Sequence, residues 1–462
     1  MDTDKNMAGL FPRLRRRDLL RLGGLSVAGF DLLPMLAPSN VFAQSRVTPR
    51  GGAKAVIFLN MQGGPSQMDM FDVKMGKWAP ENRDVRMTKQ GYQFPYGLLP
   101  KMAGTLDDLY VVRSAQAWET VHSRGQYYLQ TGHAVSAARI KEMPSLGSVI
   151  AYEYQGRRRT TDYLPPFVSM NYEPSTMYGP LQTEGCLPSD CSPLTLDLKD
   201  RNLPFTIEAT EKDRYARRWE LLNKMDTSRR ELDDSSPQNM RQFASFGRAV
   251  NKMMTNPGIS QVMKIGEEER KAYGATPFGD ACLIARNMVA ADAGARFLLV
   301  TQPGWDHHGQ IYGKNSQGGL YKTCSDLDPA FSALIADLKR SQLLDSTLVV
   351  CMGEFGRTPG GLTPLDGREH YADTMFAVFA GAGVKGGRLM GATDAECAHI
   401  TDFGWKANRP VYPEDVCATI YSVLGIDWTK RLTNTPSGRD FQYVDPAAGT
   451  RVVGFREVSE LF

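Results

Sequence analysis

Apolar residues recur along the chain in short continuous runs bounded by glycine or proline, with helical patterns between them. The runs KAVIFLNMQ (54–62), LYVVRSA (109–115), FVSM (167–170), RFLLVTQ (296–302), TLVVCMGE (347–354) and FAVFAGAGV (376–384) read as strands covered on both faces, as in a mostly parallel sheet. Between them, LDPAFSALIADLKRSQLL (327–344) places Phe331, Leu334, Ile335 and Leu338 on one helical face, with Asp326 or Asp328 as N-cap. PFGDACLIARNMVAADAG (277–294) opens on proline and closes on glycine, and PEDVCATIYSVLGI (413–426) repeats that grammar. Helix followed by strand, twice between 277 and 354, predicts an α/β fold: a central, mostly parallel β-sheet flanked by helices on both faces.

Three stretches depart from this rhythm. Residues from about 200 to 275 are charged, helical and glycine-poor, the pattern of a helical insertion beside the sheet. Residues 76–97 are polar and aromatic without periodicity, which predicts a long surface loop. The first 45 carry a basic segment ending at Arg16-Arg17, a short glycine-rich apolar stretch and a small-residue exit at VFA. Paired arginines followed by DLLR resemble a twin-arginine export signal, so 1–43 is expected to be a signal peptide and the product periplasmic or secreted. Asp31 and the glycines leave this stretch too short and polar for a stable membrane span.

Composition narrows the class. With 462 residues, 42% hydrophobic and 23% charged, the chain buries a large core, expected as one α/β domain over 44–462. The net charge is only +3, without a basic stripe interleaved with aromatics, which argues against nucleic acid as a partner. Seven cysteines leave at least one unpaired; Cys186 and Cys191 in GCLPSDCSP look like a local disulfide, and Cys282, Cys351 and Cys417 like small core residues.

Ligands of open α/β sheets gather outside the carboxyl ends of the strands. Four of the six histidines, His122, His307, His308 and His370, lie in such post-strand segments, together with Asp69, Asp306, Glu354 and Arg357. Imidazole and carboxylate together suit Zn, Mn or Fe better than thiol-selective metals. Adjacent side chains on extended chain point apart, so only one of His307 and His308 is expected to be a ligand. The glycines of QGGPSQ (62–67) offer either an anion nest or a tight turn, with Ser66 a weak nucleophile candidate.

The ordered segments VIFLNMQGGPSQMDMFD, AQAWETVHSRGQYYLQTG, WDHHGQ, LVVCMGEFGRTP and GREHYAD resemble an uncharacterised twin-arginine-exported bacterial family, itself similar to the alkaline phosphatase and sulfatase superfamily. That resemblance implies an alkaline phosphatase-like fold and a metal centre of Asp306, His308 and His370, with Glu354 and Asp69 as further metal ligands. The divalent ion implied is Zn, Mn or Ca. Arg124 falls on the sulfatase motif's arginine and Thr120 on its nucleophilic cysteine; without Cys-x-Pro-x-Arg there is no formylglycine nucleophile, and Thr120 or Ser123 would serve as the hydroxyl. The implied roles place His122 as general acid and Arg124 and Arg357 as oxyanion holders. Two positions depart from the pattern: Gln62 stands for a metal-binding Asp and Phe355 for a metal-binding His, which leaves one metal site intact and the second impaired.

The expected function is therefore an exported metal-dependent hydrolase of phosphate or sulfate esters, with a single-metal or degenerate site. Its partners would be a small anionic ester or a sulfated or phosphorylated glycan, and the twin-arginine export machinery. The alternatives are a catalytically inactive exported binding or assembly protein on the same fold and a phosphomutase-like transferase.

Overall fold

The computed structural model describes residues 47–172, 183–199, 211–229, 238–313, 319–433, 435–448 and 451–462. The expected signal peptide, 1–43, lies outside them, as do parts of the 200–275 stretch.

Eight strands form the central sheet: β1 (Ala55–Met61), β2 (Leu109–Ala115), β3 (Phe167–Met170), β4 (Leu194–Leu196), β5 (Phe297–Gln302), β6 (Thr347–Met352), β7 (Met375–Ala380) and β8 (Arg388–Met390). Their order across the sheet is β8-β2-β7-β6-β1-β5-β3-β4. All neighbours pair in parallel except β7, which runs antiparallel to both β2 and β6.

The apolar runs are strands because their side chains divide alternately between two dry layers. Ile57, Leu59 and Met61 of β1 join Leu298 and Val300 of β5 in one core, while Val56 and Phe58 join Phe297 and Leu299 in the other. The first layer is covered by α7 (Pro277–Ala291) and α8 (Leu320–Arg340), the second by α2 (Leu146–Tyr154) and α9 (Pro413–Val423). Each fully buried Leu, Ile or Phe contributes about 1.5–3 kcal/mol, so continuous hydrophobicity in the strands is what a two-sided sheet requires. One further helix, α1 (His122–Thr131), follows β2 directly.

Within the 200–275 stretch the described residues form α3 (Lys212–Arg229), α4 (Gln238–Thr255), α5 (Gly258–Val262) and α6 (Glu267–Ala272). Ile259, Val262 and Met263 anchor its end in the first core.

Several expectations need correction. The 76–97 segment is not a surface loop throughout: Val85–Met87 pairs with Gln93–Pro95, and Tyr92 and Phe94 are buried, Phe94 lying 6.2 Å from the Phe71 ring. Neither Asp326 nor Asp328 caps α8, which starts earlier, at Leu320 after Gly319. Asp328 instead accepts the backbone N–H groups of Lys101 and Met102 (3.1 and 2.7 Å), closing the short helical segment before β2. Cys186 and Cys191 are not bonded; Cys191 is buried and its sulfur accepts from the Gln155 amide.

Candidate metal centre

The sheet gathers its polar loops at one end. His122 is the first residue of α1, after β2; Asp306 and His308 follow β5; Glu354 lies two residues beyond β6. His370 arrives from the other direction, just before the reversed strand β7. A two-residue antiparallel ladder, His370 opposite Arg357 and Tyr371 opposite Gly356, fixes it across from the segment leaving β6.

His122, Asp306, His308 and His370 converge, one ligand atom from each lying within 4.8 Å of all the others. His308 Nε2 is 2.9 Å and His370 Nε2 3.2 Å from Asp306 Oδ1, and His122 Nε2 is 3.2 Å from Asp306 Oδ2. The two imidazoles His308 and His370 face each other, Nε2 to Nε2, at 3.0 Å.

The opposite nitrogen of each ring fixes its tautomer. His122 Nδ1 meets Glu354 Oε1 at 2.8 Å, His308 Nδ1 meets Glu369 Oε2 at 2.7 Å, and His370 Nδ1 meets the Thr120 carbonyl at 2.6 Å. Carboxylates and carbonyls only accept, so each Nδ1 is placed to donate, which leaves each Nε2 to offer its lone pair to a cation. Three lone pairs and a carboxylate pointed at one spot repel each other unless a cation sits among them, and a backing acceptor on the far nitrogen is the usual support of a metal-binding histidine. The donor set therefore fits a divalent cation.

Charge reinforces this. Burial pushes the Asp306 carboxyl up, but His122, His370 and Arg357 outweigh it and hold the group far below the ordinary carboxylate range. Burial likewise pushes His122 down, yet the carboxylates of Asp306 and Glu354 prevail and raise it to about 9. Without a metal these carboxylates favour a second proton on His122, at Nε2, which a cation must displace.

Glu354 is held from several sides. Its oxygens accept the Gly63 backbone N–H (3.0 and 3.2 Å) and the Gln126 side-chain amide (2.8 Å), and Gln126 in turn accepts from Asn60 (3.1 Å). The Gly63 N–H of the candidate anion nest is thus given to this carboxylate. Gly125 allows α1 to come this close, because a Cβ there would meet Glu354 Cβ at 3.1 Å and Phe355 at 3.2 Å. Phe355 is fully buried, its ring 5.0 Å from His122 and 4.6 Å from His370, so an apolar wall stands where the resemblance expects a second-site ligand.

Other residues singled out from sequence lie as follows. Asp69 is outside the cluster, fully buried between Arg83 (2.9 Å) and Arg368 (3.0 Å), and accepts from Ser66 and Tyr312, both at 2.6 Å. Arg357 is also fully buried; it donates to the carbonyls of Gly63, Gly64 and Arg368 and to Asp306 (2.6 Å). Arg124 is exposed and pairs with Glu119 at 2.5 Å. Ser123 is buried in the first turn of α1, and Thr120 contributes its carbonyl to His370. His307 is buried outside the cluster, its ring 6.2 Å from that of Trp305, and burial lowers it to about 4. At Gln62 the backbone extends the β1–β5 pairing and accepts from Trp305. The sequence reading missed Glu369, Gln126 and Asn60; the available signals were a glutamate beside His370 and a lone asparagine in the apolar run VIFLNM.

No curated protein matches the chain in sequence. Among solved structures, a protein in the alkaline phosphatase superfamily from Vibrio parahaemolyticus is 12% identical, with 82% of this chain and 69% of that one covered and a TM-score of 0.39. The lipoteichoic acid synthase LtaP from Listeria monocytogenes is 11% identical over 87% of this chain and 76% of its own, at a TM-score of 0.36. An alkaline phosphatase from the Antarctic bacterium TAB5 is 12% identical over 82% and 99%, at 0.35. The model of the family described as "Protein of unknown function (DUF1501)" matches residues 53–454, and the chain belongs to that family.

Proposed function

We propose that the chain is an exported, metal-dependent hydrolase of phosphate or sulfate esters that works with one divalent ion. The observation that carries the metal centre is the convergence of three Nε2 atoms on Asp306, each ring backed at Nδ1 by an acceptor. The ester chemistry rests on the motif order that resembles the alkaline phosphatase and sulfatase superfamily, and export on the Arg16-Arg17 segment. Among the described residues no helix is long and apolar enough to cross a membrane.

Asp306, His308 and His370 would hold the ion, which when bound supplies a Lewis acid to the ester oxygens. Glu369 and the Thr120 carbonyl keep His308 and His370 aimed. Phe355 keeps one side of the centre dry, which strengthens electrostatic interactions there. Arg357 holds Asp306 and the glycine turn in place, and Arg124, the exposed arginine, would be the one to meet an anionic group.

One observation favours a second reading, an exported binding protein without catalysis: of the two arginines expected to hold an oxyanion, Arg357 is fully buried and spent on backbone carbonyls and Asp306, and only Arg124 is exposed. Metal analysis of the purified full chain, with turnover of aryl phosphate and aryl sulfate, separates the two. Wild type is expected to hold one equivalent of a divalent metal, to unfold at lower temperature after chelation, and to turn over one of the esters; His308→Ala should lose both metal and turnover. Bound metal without turnover would support the binding protein, and no bound metal would overturn both.

A further inference from the structure

The sequence pattern makes Glu354 a metal ligand and His122 a general acid; the geometry points to the reverse division of labour. We infer that His122 is the fourth protein ligand of the centre and that Glu354 is a positioning residue that aims it. This rests on the metal-centre part of the proposed function and adds to it.

Both oxygens of Glu354 are already engaged. Its side chain is fully buried, and its two oxygens are taken by the Gly63 N–H, the Gln126 amide and the His122 Nδ1–H. Gln126 is itself fixed by Asn60, and all three polar residues are buried, so turning the carboxylate would orphan donors in a dry layer. His122 is the opposite case. Its Nε2 is buried, lies 3.2 Å from Asp306 Oδ2, and has no hydrogen-bond partner. That nitrogen points where the Nε2 atoms of His308 and His370 point.

Four protein ligands close a site, whereas catalytic centres keep one position open. His122 sits at the first position of α1 with its side chain 36% exposed, close to His308 at 39% and Asp306 at 42%. Under the hydrolase reading one of the four would have to leave to admit substrate.

The test uses the full-length chain loaded with Co(II), read by its visible absorption, and with Zn(II), read by competition with a chromophoric chelator. Wild type should show the intense bands of a four-coordinate ion. His122→Ala, and the conservative His122→Gln, should keep binding but change the spectrum towards higher coordination, with affinity reduced beyond the roughly 10–100-fold that loss of a backing partner costs. Glu354→Gln and Gln126→Leu should keep the wild-type spectrum and weaken Zn(II) by about 10–100-fold. A changed spectrum in Glu354→Gln beside an unchanged one in both His122 variants would overturn the inference while leaving the metal centre standing. Failure of wild type to bind either ion would overturn both.

Discussion

Asp69→Asn separates a structural carboxylate from a metal ligand. Asp69 is fully buried and joins Arg83 and Arg368, both also fully buried, at 2.9 and 3.0 Å. Burial pushes its carboxyl up, but the two arginines and the Ser66 and Tyr312 hydrogen bonds prevail and hold it below the ordinary 3.8. Asparagine keeps the shape and removes the charge, leaving two guanidinium groups buried without a counter-ion. Breaking a buried pair in this way costs about 3–5 kcal/mol. Against a typical total of about 5–15 kcal/mol, this is a fifth or more of the stability of an ordinary fold. Urea unfolding should show that loss as a lower midpoint, while Zn(II) affinity changes by only a few-fold, because Asp69 lies outside the histidine cluster. The sign with pH follows: a depressed carboxyl stabilises above its unfolded pKa and loses that contribution as pH falls, so the gap between wild type and variant should narrow in acid. A variant of wild-type stability that no longer binds metal would refute the reasoning and return Asp69 to the ligand set.

Glu414 has the opposite sign: burial raises it to about 8, with the Trp118 indole N–H as a partner at 3.0 Å. Its contribution is complete below the ordinary 4.5 and is lost as pH rises through 8, so wild type should lose up to about 1.4 kcal/mol per pH unit between those limits, and Glu414→Gln should flatten the dependence in calorimetry. Gly64 has φ +78°, and a Cβ there would meet the Phe355 ring at 2.7 Å, whereas Gly91, at φ +85°, has open space. Gly64→Ala should cost about 1–2 kcal/mol for the backbone and a further 1–3 for the overlap, and Gly91→Ala only the first part; equal urea midpoints for the two would refute the packing argument.

The strands β1, β2, β3, β5, β6 and β7 were legible because their burial on both faces leaves a continuous apolar run, and α7 and α9 because proline marks their starts. The edge strands β4 and β8 are three residues each, too short to carry a period. Tyr92 and Phe94 were misread for another reason: their burial depends on what covers them, which no local pattern records. Asp306, His308 and His370 were legible as polar residues at strand ends. The support beneath them was not, because the acceptors that fix His122, His308 and His370 lie 232, 61 and 250 residues away in sequence.

The reversal of β7 reaches beyond topology. A parallel successor to β6 would send the chain to the far end of the sheet and back before it could add another polar loop. Because β7 enters where β6 exits, one uninterrupted stretch, 354–370, delivers Glu354, Arg357, Glu369 and His370, and the His370–Arg357 pairing clamps its two ends together. That stretch is also pinned between its ends: Arg368 pairs with the buried Asp69, and the backbone of Leu365, Asp366 and Arg368 bonds the 307–311 segment that carries His308. Length can vary only at the turn around 361–364, so a change there alters access to the centre while the ligand geometry stays fixed.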